Sequence, residues 1–333
     1  MSYAAINRYA GDHIFNRLFL VLLFCSIFFS ANAIPASDET TLNSLSLKDY
    51  IQPNVFHCGP TVIYLLMEYW GMENIDFNEL VELMMSKLMK GTSNSSMVYH
   101  TRQYGLDAYS FTGSIKLLQK LVLLKIPVIV LQDLKKGIKL GHYRIVIGVD
   151  SEKKMLWIKD PARKGIKKMG YQKFISLWER GTSINNKRWA MIVIPVFYKL
   201  NVSDVTDSPL SALNLGSYFY SRFDFLNACK EFGEAVKNNP DNPDALKYYA
   251  QVLIRLKSYE KALVIINKLI TQRPSDAVVN DLMGLYYFYT GKYDLSLLYL
   301  KKANRLNRDS RENIYIKLHY KMVKKYIEEQ ESN

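Results

Sequence analysis

The spacing of hydrophobic positions changes along the chain and divides it. An apolar run from Leu18 to Phe29 follows Arg8 and Arg17 and precedes Ser30, Ala31, Asn32 and Ala33. A basic start, a short apolar stretch and an A-x-A site read as a signal for export over residues 1–33, cleaved after Ala33. The run is short of the roughly 20 residues that span a bilayer comfortably. An inner-membrane anchor over residues 18–33 is the alternative, and only an uncleaved signal puts the chain at a membrane. Residues 34–46 are small and polar and read as a linker. Residues 47–198 mix helical and strand periodicities, residues 199–208 are turn-rich and read as a second linker, and from Leu213 onward the spacing is helical throughout.

That last segment repeats. Gly216, Ala250 and Gly284 are 34 residues apart, as are Ala228, Ala262 and Ser296, and Phe232, Ile266 and Leu300. Pro240 and Pro274 close the first two units. Two helices that cross closely need small residues at the crossing and large apolar ones beside it, and proline stops a helix because it has no N–H to donate. Period and pattern resemble tetratricopeptide repeats, with units at 209–242, 243–276 and 277–310 and an amphipathic capping helix over 311–329. The resemblance implies an all-α solenoid that binds a protein partner. Its concave face would carry Tyr220, Lys247, Gln251, Arg255, Phe288 and Tyr289.

Composition adds little. With 333 residues, the chain is long enough for two domains, and 49% apolar content supports sizeable cores. The 44 Lys and Arg exceed the 31 Asp and Glu, giving a formal charge of +13. These cations are scattered, however, and their densest run, Arg163–Lys168, comes without a nucleic-acid-binding motif, so no nucleic-acid partner is expected. No metal-ligand spacing or phosphate-binding glycine loop calls for a cofactor. Of the three cysteines, Cys25 lies in the signal and Cys229 reads as a small buried hydrophobe on a repeat helix. Trp157 and Trp178 read as core.

Cys58 is placed differently. The string Gln52-Pro-Asn-Val-Phe-His-Cys58-Gly-Pro60 leads into Val62, Leu65, Leu66, Tyr69 and Trp70 at helical spacing, and Gly71 ends them. Proline favours the first helical turn. Cys58 therefore stands at a helix N-terminus, where the dipole favours an anion. Downstream, Gly141-His142 opens an alternating strand with Tyr143, Ile145, Ile147 and Val149. After a turn at residues 151–154, Met155 to Lys159 read as the returning strand, ending at Asp160-Pro161. Folding that hairpin sets His142 beside Asp160, a base and its orienter for a cysteine nucleophile.

With Gln52 six residues before Cys58, this order resembles the C39 peptidases, the papain-like family that removes double-glycine leaders from bacteriocin precursors. The resemblance covers residues 47–198. It implies an α+β papain-like cysteine peptidase domain followed by the all-α solenoid, hydrolysing a peptide or protein substrate. Cys58 would be the nucleophile, His142 the base and acid, and Asp160 its orienter. Gln52 would donate to the oxyanion alongside the Cys58 N–H. Members of the family are commonly the front end of an ATP-driven exporter, whereas this sequence has no P-loop. A peptidase-like fold that binds peptides without turnover, serving as a scaffold, is the competing reading. Acyl transfer to an amine, through a thioester on Cys58, is a third.

Overall fold

The computed structural model describes residues 44–135, 138–179, 187–307 and 313–331. The expected signal, and the expected linker as far as residue 43, lie outside them. The N-terminal part opens with α1 (Cys58–Tyr69) and α2 (Phe77–Met84), then a two-stranded ribbon of β1 (Met85–Ser86) and β2 (Gly91–Thr92). After α3 (Asn94–Gln103), β3 (Leu106–Thr112) and α4 (Ile115–Leu123) come β4 (Val128–Lys135), β5 (Ile138–Asp150), β6 (Met155–Lys159), β7 (Ile166–Gly170), α5 (Tyr171–Trp178) and β8 (Trp189–Pro195). The strands from β3 onward form a six-stranded sheet in the order β3-β8-β4-β5-β6-β7, with every pairing antiparallel.

The central strands are covered on both faces. Val128 to Asp133 of β4 and all of β8 are buried, so their sequences are near-continuous apolar runs instead of alternating ones. Helices α1 and α4 pack on β5, and α5 packs on β4 and β7. Helix α1 lies almost wholly inside: Val62, Ile63, Leu65, Leu66 and Met67 are at most 1% exposed. An apolar helix of this kind is stable only when enclosed. Trp178 is fully buried and donates its Nε1–H to the Trp189 carbonyl at 2.8 Å. Trp157 is only half-buried, against the expectation of a core residue, because its ring lies over Gly148 with Lys168 on it.

Two expected linkers are packed where the structure describes them. Leu45 is buried, and its N–H reaches the Ile147 carbonyl at 2.8 Å, where a β-bulge frees that residue from β6. Residues 203–206 form the short helix α6 (Ser203–Thr206), with Val202 and Val205 buried. The apolar residues in these polar or turn-rich stretches account for both differences.

The C-terminal part is helical: α7 (Leu210–Tyr220), α8 (Phe225–Asn238), α9 (Pro243–Arg255), α10 (Tyr259–Gln272), α11 (Ala277–Tyr289), α12 (Tyr293–Leu306) and α13 (Asn313–Glu331). The crossings require small residues. A Cβ on Gly216 would stand 2.4 Å from the Phe232 ring, and one on Gly284 would stand 2.6 Å from Leu300. Asn242 and Asp276 accept from the first N–H groups of α9 and α11, satisfying donors a helix start leaves free. Cys229 is half-buried, not buried, because it lies at the seam between the cores of successive repeats, and burial pushes its thiol up.

Helix α7 belongs to both parts. Its Ser211 hydroxyl accepts from the Ser110 N–H at 2.8 Å, and Asn214 donates to the Ser110 hydroxyl at 2.8 Å. Tyr218 stacks on Tyr99 of α3, with ring centroids 3.8 Å apart.

Candidate active site

Cys58 is the first residue of α1 and is buried. The helix starts there because Gly59 and Pro60 suit a tight entry. A Cβ on Gly59 would stand 2.6 Å from Thr92, so β2 comes flush against the turn that carries the cysteine. The positive end of α1 favours an anion at this position.

His142 lies within β5, not at its opening as expected, because pairing with β4 extends β5 back to Ile138. Asp160 follows the last residue of β6. His142 Nε2 and Asp160 Oδ1 are 2.7 Å apart, and both residues are buried. Burial alone disfavours an imidazolium. Hydrogen bonds to Asp160 and Cys58, with the charges of both, outweigh it and raise the His142 pKa above its ordinary 6.5. Burial pushes the Asp160 carboxyl up, but His142 and Arg144 overcome that and hold it well below the usual carboxylate range.

Gln52 reaches this corner through its backbone, whose N–H donates to the Pro161 carbonyl at 2.9 Å. Asp49 secures the same segment by pairing with the buried Lys159 and accepting from the Gly165 N–H. The Gln52 side chain donates Nε2–H to the Asn54 carbonyl at 2.9 Å, inside the loop leading to Cys58, while its Oε1 is buried without a partner.

Sequence reasoning missed four contributors. Arg144 Nε donates to Asp160 Oδ2 at 2.9 Å. Tyr143 donates to Asn94 Oδ1 at 2.6 Å and to the Thr92 carbonyl at 3.1 Å, and burial pushes its phenol up, with Cys58 adding to the shift. The His142-x-Arg144 spacing puts both side chains on one face of a strand, a signal that was available. Nothing in the sequence linked Tyr143 to Asn94 and Thr92. Among the described residues, no cluster of three His, Cys, Asp or Glu could hold a metal, and no helix is long and apolar enough to cross a membrane.

The expected groove residues are only partly gathered. Arg255 Nε donates to the Tyr220 hydroxyl at 3.3 Å, and Lys247 pairs with Asp276 at 2.9 Å, one helix turn from Gln251. Phe288 turns instead to Tyr326 of α13, with centroids 5.3 Å apart, and packs beside Tyr289.

Comparison with known proteins divides the chain at the same place. Residues 45–185 match the model of the Peptidase_C39 like family, and residues 220–286 match a tetratricopeptide repeat model. The chain thus carries a domain of the C39 peptidase-like family followed by tetratricopeptide repeats: a mixed α/β domain built on a sheet, then successive helix pairs. A double-glycine motif protease from an AMS/PCAT transporter, solved with its leader peptide, is 17% identical over 47% of this chain and 97% of its own, with a TM-score of 0.36. The peptidase domain of Streptococcus ComA, a bifunctional ABC transporter involved in quorum sensing, is 26% identical over 45% of this chain and 98% of its own, with a TM-score of 0.37. A tetratricopeptide protein of Thermus thermophilus is 23% identical over 38% of this chain and 69% of its own, with a TM-score of 0.34. No curated protein matches the chain.

Proposed function

We propose that the chain is an exported cysteine peptidase whose repeats bring a substrate or partner protein to the catalytic domain. The observation that carries this reading is His142, held at 2.7 Å by Asp160, with Cys58 among the groups that raise its pKa. That is the order nucleophile, base, orienter. The Cys58 thiolate adds to the scissile carbonyl carbon, and the carbonyl oxygen becomes an oxyanion. The Cys58 N–H and a Gln52 amide hydrogen stabilise it, one such donor contributing about 3 kcal/mol. Imidazolium His142 gives its proton to the departing amine, leaving a thioester. Neutral His142 then takes a proton from water, whose oxygen displaces the Cys58 sulfur and releases the acid.

Tetratricopeptide repeats generally mediate protein–protein contacts, and the Lys247–Gln251–Arg255 stripe is the face offered here. Export rests on Arg8, Arg17, Leu18–Phe29 and Ala31-Asn32-Ala33.

A second reading has one observation in its favour: the Gln52 amide already donates to Asn54, which suits a peptide-binding scaffold without turnover. Incubation with peptides carrying double-glycine and unrelated sequences separates the two. The peptidase reading expects cleavage that Cys58→Ala abolishes and His142→Ala nearly abolishes, with Asp160→Asn milder. Binding without cleavage by the unaltered chain, or full cleavage by Cys58→Ala, would rule it out.

A further inference from the structure

Asp160 sits between two basic partners, only one of which the hydrolytic scheme uses. Oδ1 accepts from His142 and from the Ala162 N–H at 3.1 Å. Oδ2 accepts from Arg144 Nε at 2.9 Å. Arg144 is 3% exposed and is itself held on three sides. It donates to Gln132 Oε1 at 3.1 Å, to the Asp133 carbonyl at 3.4 Å and to the Leu134 carbonyl at 3.2 Å. Gln132, fully buried, is fixed in turn by donating Nε2–H to the Phe174 carbonyl of α5 at 3.0 Å. A continuous buried chain therefore runs from α5 through β4 and β5 to the imidazole.

From this chain we infer that Arg144 is a positioning residue for the proposed hydrolysis: it keeps Asp160 ionised and turned so that His142 presents its basic nitrogen to Cys58. A guanidinium stays charged at every working pH, and its planar fork meets several acceptors at once. The consequence for His142 is one of tautomers. An ionised Asp160 can only accept, so Nε2 must carry a hydrogen and the other ring nitrogen is free to take the proton of Cys58. A protonated Asp160 would donate to Nε2 and place the ring hydrogen on the side facing the sulfur, where it blocks proton uptake. A buried carboxyl without a cation drifts toward that protonated state. Arg144 reaches no reacting atom itself and acts through Asp160. The inference rests on the peptidase reading, in which His142 serves Cys58.

The test uses iodoacetamide labelling of Cys58 in the full chain, read by mass spectrometry from pH 5 to 9, alongside thermal melting. In Arg144→Met, labelling at pH 6 should slow about tenfold or more, the scale set by a misplaced catalytic geometry. Arg144→Lys keeps the charge but not the fork and should fall between that variant and the parent. Should Arg144→Met fail to fold, Gln132→Met loosens the same arginine and should slow labelling in the same direction. In an Asp160→Asn background, Arg144→Met should add little, because its target is gone. A lower melting temperature with an unchanged rate–pH profile would make Arg144 merely structural and overturn the inference, as would effects of Arg144→Met and Asp160→Asn that multiply. Those results leave the peptidase reading standing. Labelling of the parent that is indifferent to His142→Ala overturns both.

Discussion

His142 carries opposing influences, and their balance is measurable. Burial pushes its pKa down, while Asp160 and Cys58 together push it up further, so the ring should hold its proton beyond the ordinary 6.5. Following the ring nitrogens by nuclear magnetic resonance should give a midpoint above 6.5 in the unaltered chain and a lower one in Cys58→Ala, which removes two of the raising contributions. A midpoint at or below 6.5 would contradict the arrangement. A raised histidine stabilises the fold below pH 6.5, and that contribution fades as pH rises through the folded value. At this scale the sequence was legible where spacing encodes direction. Cys58 before Gly59-Pro60 marks a helix start, and a hairpin turn brings Asp160 back toward His142. Long-range partners were not legible. Tyr143 meets Asn94 and Thr92 across about 50 positions of sequence, and no local pattern encodes that contact.

At the scale of elements, the repeats show how far periodicity reaches. The 34-residue spacing names the crossing positions, and the crossings explain why Gly216 stands at one of them. Its backbone lies so near the Phe232 ring that a methyl group must displace it. Gly216→Ala should therefore cost about 1–3 kcal/mol of overpacking, visible as a lower denaturation midpoint, although alanine normally favours a helix. An unchanged or raised midpoint would mean that α7 and α8 do not meet so closely. The strand ends were harder to read. His142 was expected to open β5, but pairing with β4 reaches back to Ile138, and that pairing belongs to the sheet and not to the local sequence. Leu45, Val202 and Val205 were hidden for the opposite reason: each lies in a polar or turn-rich stretch that masks an apolar anchor.

Across the whole molecule, the contact between the C39-like domain and the repeats is a packed interface. His100 lies within it, its Nε2 3.3 Å from the Tyr218 hydroxyl, and Arg222 stacks over Tyr218 at 3.6 Å. Burial, with Arg222 nearby, lowers the His100 pKa to about 4. An unfolded chain binds that proton at 6.5, so stability should decline as pH falls from 6.5 toward 4, by about 3 kcal/mol at the limit. Melting followed across that range should show the decline, and His100→Gln should flatten it. An equal decline in the variant would place the acid sensitivity elsewhere. No local sequence pattern encodes this contact, because α7, which supplies the partner of His100, lies more than a hundred residues away.

We propose Cys58 as an activated nucleophile served by His142. The most direct measurement is the iodoacetamide labelling rate of Cys58 at pH 6, with Cys229, whose thiol burial pushes up, as the control within the same molecule. Cys58 should react well ahead of Cys229, and His142→Ala should remove the advantage. Equal rates for the two cysteines, rising together only above about pH 8 as ordinary thiols do, would contradict it.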